Sequence, residues 1–338
     1  MADPLVVIDA DVLGRRRTGD ETYVEQLLRA LPAHAHGLRF AAVTRRPELV
    51  PDGVEPVELG ARVQELRMAW TLPRLLGRVR PALAHFVHSL PLRCPCPAVL
   101  TVQDVSFERD RSLLGRRETA IFRAVVPRSA RAARKVLAIS QRTKDDLVEL
   151  YGLPPEKVVV TPLAYDPAFS PGADGAGSYL LFVSAIEERK NPLAAADAAR
   201  EAGLPLVVVG PERDARLVDE LRRRGADLRG FVAKDELVRL YRGAAALLFP
   251  TRYEGFGLPV VEAMACGTPV VATPDAAVRE VGGDAVVYAR PGELGAAVRR
   301  ALAERERLAA AGLERARLFS WDETARRTAE VYREVLGL

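Results

Sequence analysis

The chain has 338 residues, 49% of them hydrophobic and 6% aromatic, and a formal charge of +4. That length holds two domains of ordinary size, each with its own core, and a composition dominated by Val, Leu and Ala suits repeated strand–helix units and argues against an all-β protein. No apolar run approaches the ~20 residues of a membrane span. Cys94, Cys96 and Cys266 form no disulfide framework, and Cys94-Pro95-Cys96 has the wrong spacing for a zinc knuckle. All three are expected as free thiols in a reducing cytoplasm. No signal peptide is visible, because the N-terminus runs straight into a strand.

Leu5 to Ile8 is the first expected strand, and it ends at Asp9-Ala10-Asp11. A loop from Gly14 to Tyr23 leads into an amphipathic helix ending at Leu31. Thr18 or Asp20 can cap that helix, and Gly19 lets the backbone approach a ligand closely. The dinucleotide fingerprint Gly-x-Gly-x-x-Gly is missing. Further strands are expected over Arg39 to Thr44, Ala82 to Phe86, Ala98 to Val102 and Lys135 to Ile139, which implies a parallel sheet covered by helices on both faces. Ser140 caps a helix to Tyr151, and Val158 to Pro162 closes the first half. His85 and His88 follow a strand and read as packing or surface residues before site residues.

Two stretches are basic. Nine basic residues lie between Arg109 and Lys135 against Asp110 and Glu118, and Arg62 to Arg80 interleaves arginines with Leu66, Met68, Trp70, Leu72, Leu75 and Leu76. Such segments rest on an anionic membrane surface, meet an anionic acceptor, or form a solvated helical face. They lack interleaved stacking aromatics and any reader motif, which argues against nucleic acid.

Pro162 to Gly177 is rich in Pro, Gly, Ala and Asp and reads as a linker. A second strand–helix series then starts at Tyr179 to Val183. This restart marks two similar Rossmann-like domains. Ser184 to Asn191 follows, with Arg189 and Lys190 at a strand's carboxyl end, suited to a diphosphate. Leu206 to Val209 leads to Gly210, and Leu228 to Val232 includes Phe231 and Val232. Ala244 to Phe249 precedes the densest motif, Arg252-Tyr253-Glu254-Gly255-Phe256-Gly257-Leu258-Pro259-Val260-Val261-Glu262, continued by Ala-Cys-Gly-Thr-Pro-Val-Val into a strand from Pro269. Its helix start leaves the amides of Phe256, Gly257 and Leu258 available to a phosphate. Glu262 is the only charge of an apolar helix and needs a polar partner. A strand near Ala285 to Tyr288 and a helix through Leu302 follow. Ser320-Trp321-Asp322-Glu323 then opens the terminal helix.

Two glutamates separated by seven residues, within Glu-Gly-Phe-Gly-Leu-Pro, resemble the signature of the retaining glycosyltransferases of family 4. The resemblance covers nearly the whole chain, dense from Tyr179 and thinner before Ala98. It implies an α/β GT-B fold with two Rossmann-like domains facing across a cleft. The acceptor-binding domain is expected over 1–165 and the nucleotide-sugar-binding domain over 176–320. The terminal helix, 321–338, is expected to cross back to the first domain.

The resemblance further implies donor-phosphate roles for Lys190 and Arg189, with Gly19 and the amides of Phe256, Gly257 and Leu258. It implies Glu254 on hydroxyls of the transferred sugar, Glu262 on the ribose, and Gly210, Phe231 and Val232 lining the nucleotide. The chain departs from the family twice. Gln103 stands where a histidine usually precedes Asp104, and glutamine hydrogen-bonds but carries no proton. Ser184 and Ala185 replace a usual Gly-Arg pair, leaving Arg189-Lys190-Asn191, as in a mannosyltransferase-like subgroup. Asp9-x-Asp11 as a metal-binding pair belongs to a different glycosyltransferase architecture. The resemblance therefore implies a metal-independent enzyme without cofactor that moves a hexose from a nucleotide-diphosphate sugar, GDP-mannose before UDP-glucose, to a glycan, lipid-linked or small-molecule acceptor. The expected place is the cytoplasm, at or near the inner face of the membrane. The alternative is a GT-B protein that binds nucleotide sugar as a scaffold subunit without transferring it.

Overall fold

In a computed structural model the chain is described over residues 3–15, 18–34, 36–60, 66–109, 116–172 and 177–338. It divides into two compact units, Met1–Leu163 with Trp321–Leu338, and Ala164–Ser320.

The first unit holds seven parallel strands: β1 (Leu5–Asp9), β2 (Arg39–Thr44), β3 (Glu55–Glu58), β4 (Leu83–Val87), β5 (Ala98–Val102), β6 (Lys135–Ala138) and β7 (Val158–Val160). They run in the order β3-β2-β1-β4-β5-β6-β7. β5 is buried along its whole length, as a central strand covered on both faces requires. β3 has no counterpart among the sequence-based strands. Its Glu-Pro-Val-Glu sequence is largely exposed, and Pro56 is tolerable only because β3 is an edge.

The longer helices of this unit among the described residues are α1 (Thr18–His34), α2 (Leu72–Val79), α3 (Arg116–Ala132), α4 (Gln141–Tyr151) and a last one, Trp321–Leu336. Ser140 caps α4 by accepting from the Thr143 amide at 3.0 Å, and Gly152 ends it in the left-handed region at φ 62°. α1 begins at Thr18, so Asp20 sits inside its first turn and is not the cap; the Thr18 side chain lies outside the described residues. The last helix packs along α1, with Tyr23 and Trp321 ring centroids 6.4 Å apart. Arg62 lies outside the described residues. Of that basic stretch, Arg67 is buried, while Leu66 and Trp70 are exposed, with Arg74 over the Trp70 ring.

The second unit repeats the scheme with six parallel strands: β8 (Leu180–Val183), β9 (Leu206–Val209), β10 (Asp227–Gly230), β11 (Ala246–Phe249), β12 (Val270–Ala272) and β13 (Val286–Tyr288). Their order is β10-β9-β8-β11-β12-β13. The connecting helices, continuing the numbering, are α5 (Pro192–Ala202), α6 (Ala215–Arg223), α7 (Lys234–Gly243), α8 (Leu258–Ala265), α9 (Ala276–Gly282), α10 (Leu294–Ala303) and α11 (Arg305–Ala316), which makes Trp321–Leu336 α12. β10 ends at Gly230, so Phe231 and Val232 lie past the strand, and the Phe231 ring is 59% exposed.

The segment expected as linker is packed from its start. Ala164 and Phe169 are buried, Phe169 meets Tyr241 at 5.7 Å, and Arg242 Nε donates to the Ser170 carbonyl at 2.7 Å. Its later part, 173–176, lies outside the described residues. Among the described residues no helix is long and apolar enough to cross a membrane.

Strand order reverses direction between β1 and β4 in the first sheet and between β8 and β11 in the second. At such switch points the loops leaving neighbouring carboxyl ends diverge and open a crevice, the usual ligand position in a parallel sheet.

Candidate active site

At the second switch point the loop after β8 carries Arg189 and Lys190, and the loop after β11 carries Glu254. Because β8 and β11 are hydrogen-bonded neighbours, these loops lie side by side. Lys190 Nζ is 2.5 Å from Glu254 Oε1, and Arg189 Nη1 is 3.8 Å from Glu254 Oε2. The Arg189 guanidinium also donates to the Tyr253 carbonyl at 2.8 Å and to Glu187 Oε1 at 3.0 Å. A backbone bond from the Arg252 amide to the Arg189 carbonyl, 2.9 Å, ties the loops together. The Lys190 and Glu254 side chains are only 12% and 10% exposed. Burial pushes the Lys190 ammonium below the ordinary lysine range, and the adjacent Glu254 carboxylate opposes that shift.

Gly257 ends this loop at φ 111°, a conformation that residues with side chains rarely adopt, and α8 begins at the next residue. The amides of Phe256, Gly257 and Leu258 have no acceptor among the described residues. Only the backbone of Phe256 faces this work, since its ring is buried against Phe319 with centroids 5.6 Å apart. The polar partner that Glu262 requires is Tyr241, whose hydroxyl donates to Glu262 Oε2 at 2.8 Å. Burial pushes the Glu262 carboxyl up to about 7; the Tyr241 bond pulls the other way, Asp166 adds to the rise and Lys234 opposes it.

Gly210 has its own reason to be glycine. At φ 140° it runs against β8, and a Cβ there would overlap the Ser184 carbonyl. Phe231 and Val232 follow edge strand β10, two strands from β8, and are not drawn into the charged cluster.

At the first switch point Gly19 lies in the opening turn of α1, and a Cβ on it would come within 3.3 Å of Gln103 Oε1. Gln103 is 8% exposed, its backbone carbonyl accepts from Thr143 Oγ1 at 3.2 Å, and its buried side-chain Nε2 has no hydrogen-bond partner among the described residues. Such an orphaned donor is costly unless a ligand satisfies it. His88, beside it at the end of β4, holds a left-handed backbone at φ 63° and places Nε2 3.2 Å from Asp20 Oδ1. By contrast His85 is core: Nδ1 hydrogen-bonds Tyr332 Oη at 2.6 Å and Nε2 bonds Thr101 Oγ1 at 2.7 Å.

Asp9 and Asp11 are taken by arginines. Arg67 grips Asp9 with two bonds of 2.7 and 2.9 Å, Arg45 Nε donates to Asp11 at 2.7 Å, and Arg15 also pairs with Asp11. Cys94 and Cys96 are free thiols whose sulfurs meet in a weak hydrogen bond of 3.9 Å.

The glutamate motif, Arg189 and Lys190 were legible in the sequence. The Tyr241–Glu262 bond and the His88–Asp20 pair were not, since Tyr241 and Asp20 sit on ordinary amphipathic helices and carry no local motif.

Two family profiles match the chain: "Glycosyltransferase Family 4" over residues 17–169 and "Glycosyl transferases group 1" over 177–304. O-antigen chain mannosyltransferase B of Escherichia coli is 27% identical over 335 residues, covering 89% of this chain and 84% of that protein. D-inositol 3-phosphate glycosyltransferase of Frankia alni is 32% identical over 241 residues, and the match spans 60% of this chain and 59% of that protein. The structure superposes on sucrose-phosphate synthase of Thermosynechococcus elongatus with a TM-score of 0.80 at 19% identity, over 99% of both chains. The two parallel-sheet units are thus the Rossmann-like domains of the GT-B fold.

Proposed function

The chain belongs to the family 4, or group 1, glycosyltransferases, and on that premise we propose a retaining, metal-independent hexosyltransferase that uses a nucleotide-diphosphate sugar. The observation that carries the reading is the meeting of Arg189, Lys190 and Glu254 at the β8/β11 switch point, beside the free amides that open α8.

Breaking the anomeric bond builds negative charge on the leaving diphosphate and positive charge on the sugar ring. Lys190, Arg189 and the amides of Phe256 to Leu258 are groups that stabilise the first charge, in a site buried enough for the interaction to be strong. Glu254 accepts hydrogen bonds from the transferred sugar, and Glu262 from the ribose. Gln103 offers its unpartnered amide to a substrate hydroxyl. Cationic side chains supply the charge that a divalent metal supplies elsewhere. Attack on the donor from the leaving-group side, with the phosphate taking the acceptor proton, retains the anomeric configuration.

Mannose is preferred over glucose because the Escherichia coli relative that matches most of the chain is a mannosyltransferase and because Arg189-Lys190-Asn191 resembles that subgroup. The acceptor class is a glycan or lipid-linked glycan hydroxyl, reached at the inner face of the membrane, with a small polyol as the alternative that the inositol phosphate enzymes suggest.

Thermal unfolding with GDP, UDP, ADP, dTDP and their common sugars, with and without a chelator, tests this. A ligand at a hundred times its dissociation constant adds about 2.7 kcal/mol. Stabilisation by GDP-mannose that survives the chelator is expected, followed by transfer to an α-configured product. A shift that needs metal, or no shift with any nucleotide, overturns the reading.

A further inference from the structure

We infer that Glu254 makes this site select nucleotide sugar against free nucleoside diphosphate, by holding Lys190 whenever no sugar is bound. The inference rests on the functional reading above and adds a specificity role that the sugar contact alone does not imply.

The cations of the cluster already have carboxylate partners. Arg189 and Lys190 pair with Glu187 and Glu254 within 4 Å, and the largely exposed Arg213 lies 3.3 Å from Glu187 at the rim. A diphosphate arriving here therefore competes with a carboxylate for each of these cations. It must take Lys190 from a carboxylate 2.5 Å away, in a site where both side chains are nearly nine-tenths covered. There the ammonium gains more from its partner than it would in water. The second cation is held too, since Arg189 is braced by Glu187 and by the Tyr253 carbonyl.

A sugar changes this balance and a bare diphosphate does not. Hydroxyls of a donor hexose donate hydrogen bonds to the Glu254 carboxylate, replacing the bonds it gives up when Lys190 turns to the phosphates. Free diphosphate brings no donors for Glu254. Instead it sets the extra negative charge of its terminal phosphate against an unrelieved carboxylate. The same asymmetry acts after transfer: once the sugar leaves, Glu254 returns to Lys190 and weakens the hold on the diphosphate product. Negative selection of this kind uses an unfavourable contact with the wrong ligand more than a better contact with the right one.

The test is calorimetric titration of the full chain and of Glu254→Gln with a nucleoside diphosphate and its sugar, GDP with GDP-mannose and UDP with UDP-glucose. Glutamine keeps the shape and an oxygen for Lys190 while removing the charge. In Glu254→Gln, free diphosphate should bind roughly tenfold more tightly and the nucleotide sugar no more tightly than before, so their ratio of dissociation constants collapses. Equal changes for both ligands, or weaker binding of the free diphosphate, overturn the inference while leaving the donor reading intact. If the unaltered chain binds none of the four ligands, the donor reading itself falls and this inference falls with it. A single cooperative melting transition for each protein shows that the variant is folded, even where its midpoint is lower; a Glu254→Ala variant giving the same tightening serves if the glutamine form does not fold.

Discussion

Tyr241 donates a 2.8 Å hydrogen bond to Glu262 from a fully buried position, which makes a core tyrosine of α7 the anchor of a carboxyl on α8. Thr268 Oγ1 in turn donates to the Tyr241 carbonyl at 2.7 Å. The helix before β11 and the helix after it are thereby joined at the one polar side chain that α8 turns inward.

The raised titration of Glu262 predicts a pH slope. Its folded value of about 7 lies above the ordinary 4.5, so the folded protein holds a proton there that the unfolded chain has released. The stabilising contribution is full below 4.5 and is lost as pH rises through about 7. Glu262→Gln should remove that part of the slope in melting temperature between pH 4.5 and 8. Parallel curves for the two proteins would sink the assignment.

His85 predicts the opposite sign in the other unit. Burial pushes its imidazole down to about 3 from the ordinary 6.5, so the folded form excludes a proton that the unfolded chain binds. Stability from this group is present above pH 6.5 and is lost as pH falls toward 3. Calorimetry from pH 7 down to pH 4 should show this unit weakening, and His85→Gln should flatten the trend while lowering stability at pH 7. A variant as acid-sensitive as the parent would argue that other groups carry the slope.

The strand–helix alternation was legible because buried parallel strands such as Leu206–Val209 are short apolar runs bounded by turn residues. Strand ends were less so. Val158 was read through to Pro162 but pairs only to Val160, and Ala244 was read into a strand whose pairing starts at Ala246. Apolar composition continues past the point where hydrogen-bonded partners stop. β3 was missed because an exposed edge needs no apolar pattern. In the site, Glu254 and Lys190 stood in visible motifs, but their contact spans 64 residues and is set by the pairing of β8 with β11. Nothing local in either loop encodes that meeting.

Lys190→Ala leaves Glu254 buried without its 2.5 Å partner. Removing one member of a buried pair costs about 3–5 kcal/mol, so the variant should melt well below the parent. Nucleoside diphosphate affinity should fall by roughly a hundredfold. The double variant Lys190→Met, Glu254→Gln should recover most of the stability and none of the affinity. Recovered affinity would remove Lys190 from the phosphate role.

Gln103 should trade stability for function. Its buried Nε2 finds no partner among the described residues, and an unsatisfied donor of this kind costs about 1–3 kcal/mol. Gln103→Met, close in shape and free of the amide, should melt at or above the parent temperature while transfer slows by tenfold or more. A less stable variant with unchanged transfer would mean that the amide serves packing. Gln103→His adds a second reading: a rise in transfer marks glutamine as a tolerated departure, and a loss marks a site adapted around it.

Gly210 and Gly257 both hold positive φ, 140° and 111°, yet alanine should affect them differently. At Gly257 the nearest atom to a new Cβ is Val260 Cγ2 at 3.7 Å, an ordinary contact, so the cost is backbone strain of about 1–3 kcal/mol. That strain bears on the turn that aims the α8 amides, and Gly257→Ala should therefore lose nucleotide stabilisation out of proportion to its loss in melting temperature. At Gly210 the new atom would overlap the Ser184 carbonyl, which belongs to backbone and cannot rotate away. Gly210→Ala should unfold at a much lower urea concentration than Gly257→Ala, because β8 and β9 must separate at their carboxyl ends to admit it. If the two variants proved equally stable, the close approach of those strands would not be what requires glycine at 210, and a direct nucleotide contact would become the better account of that position.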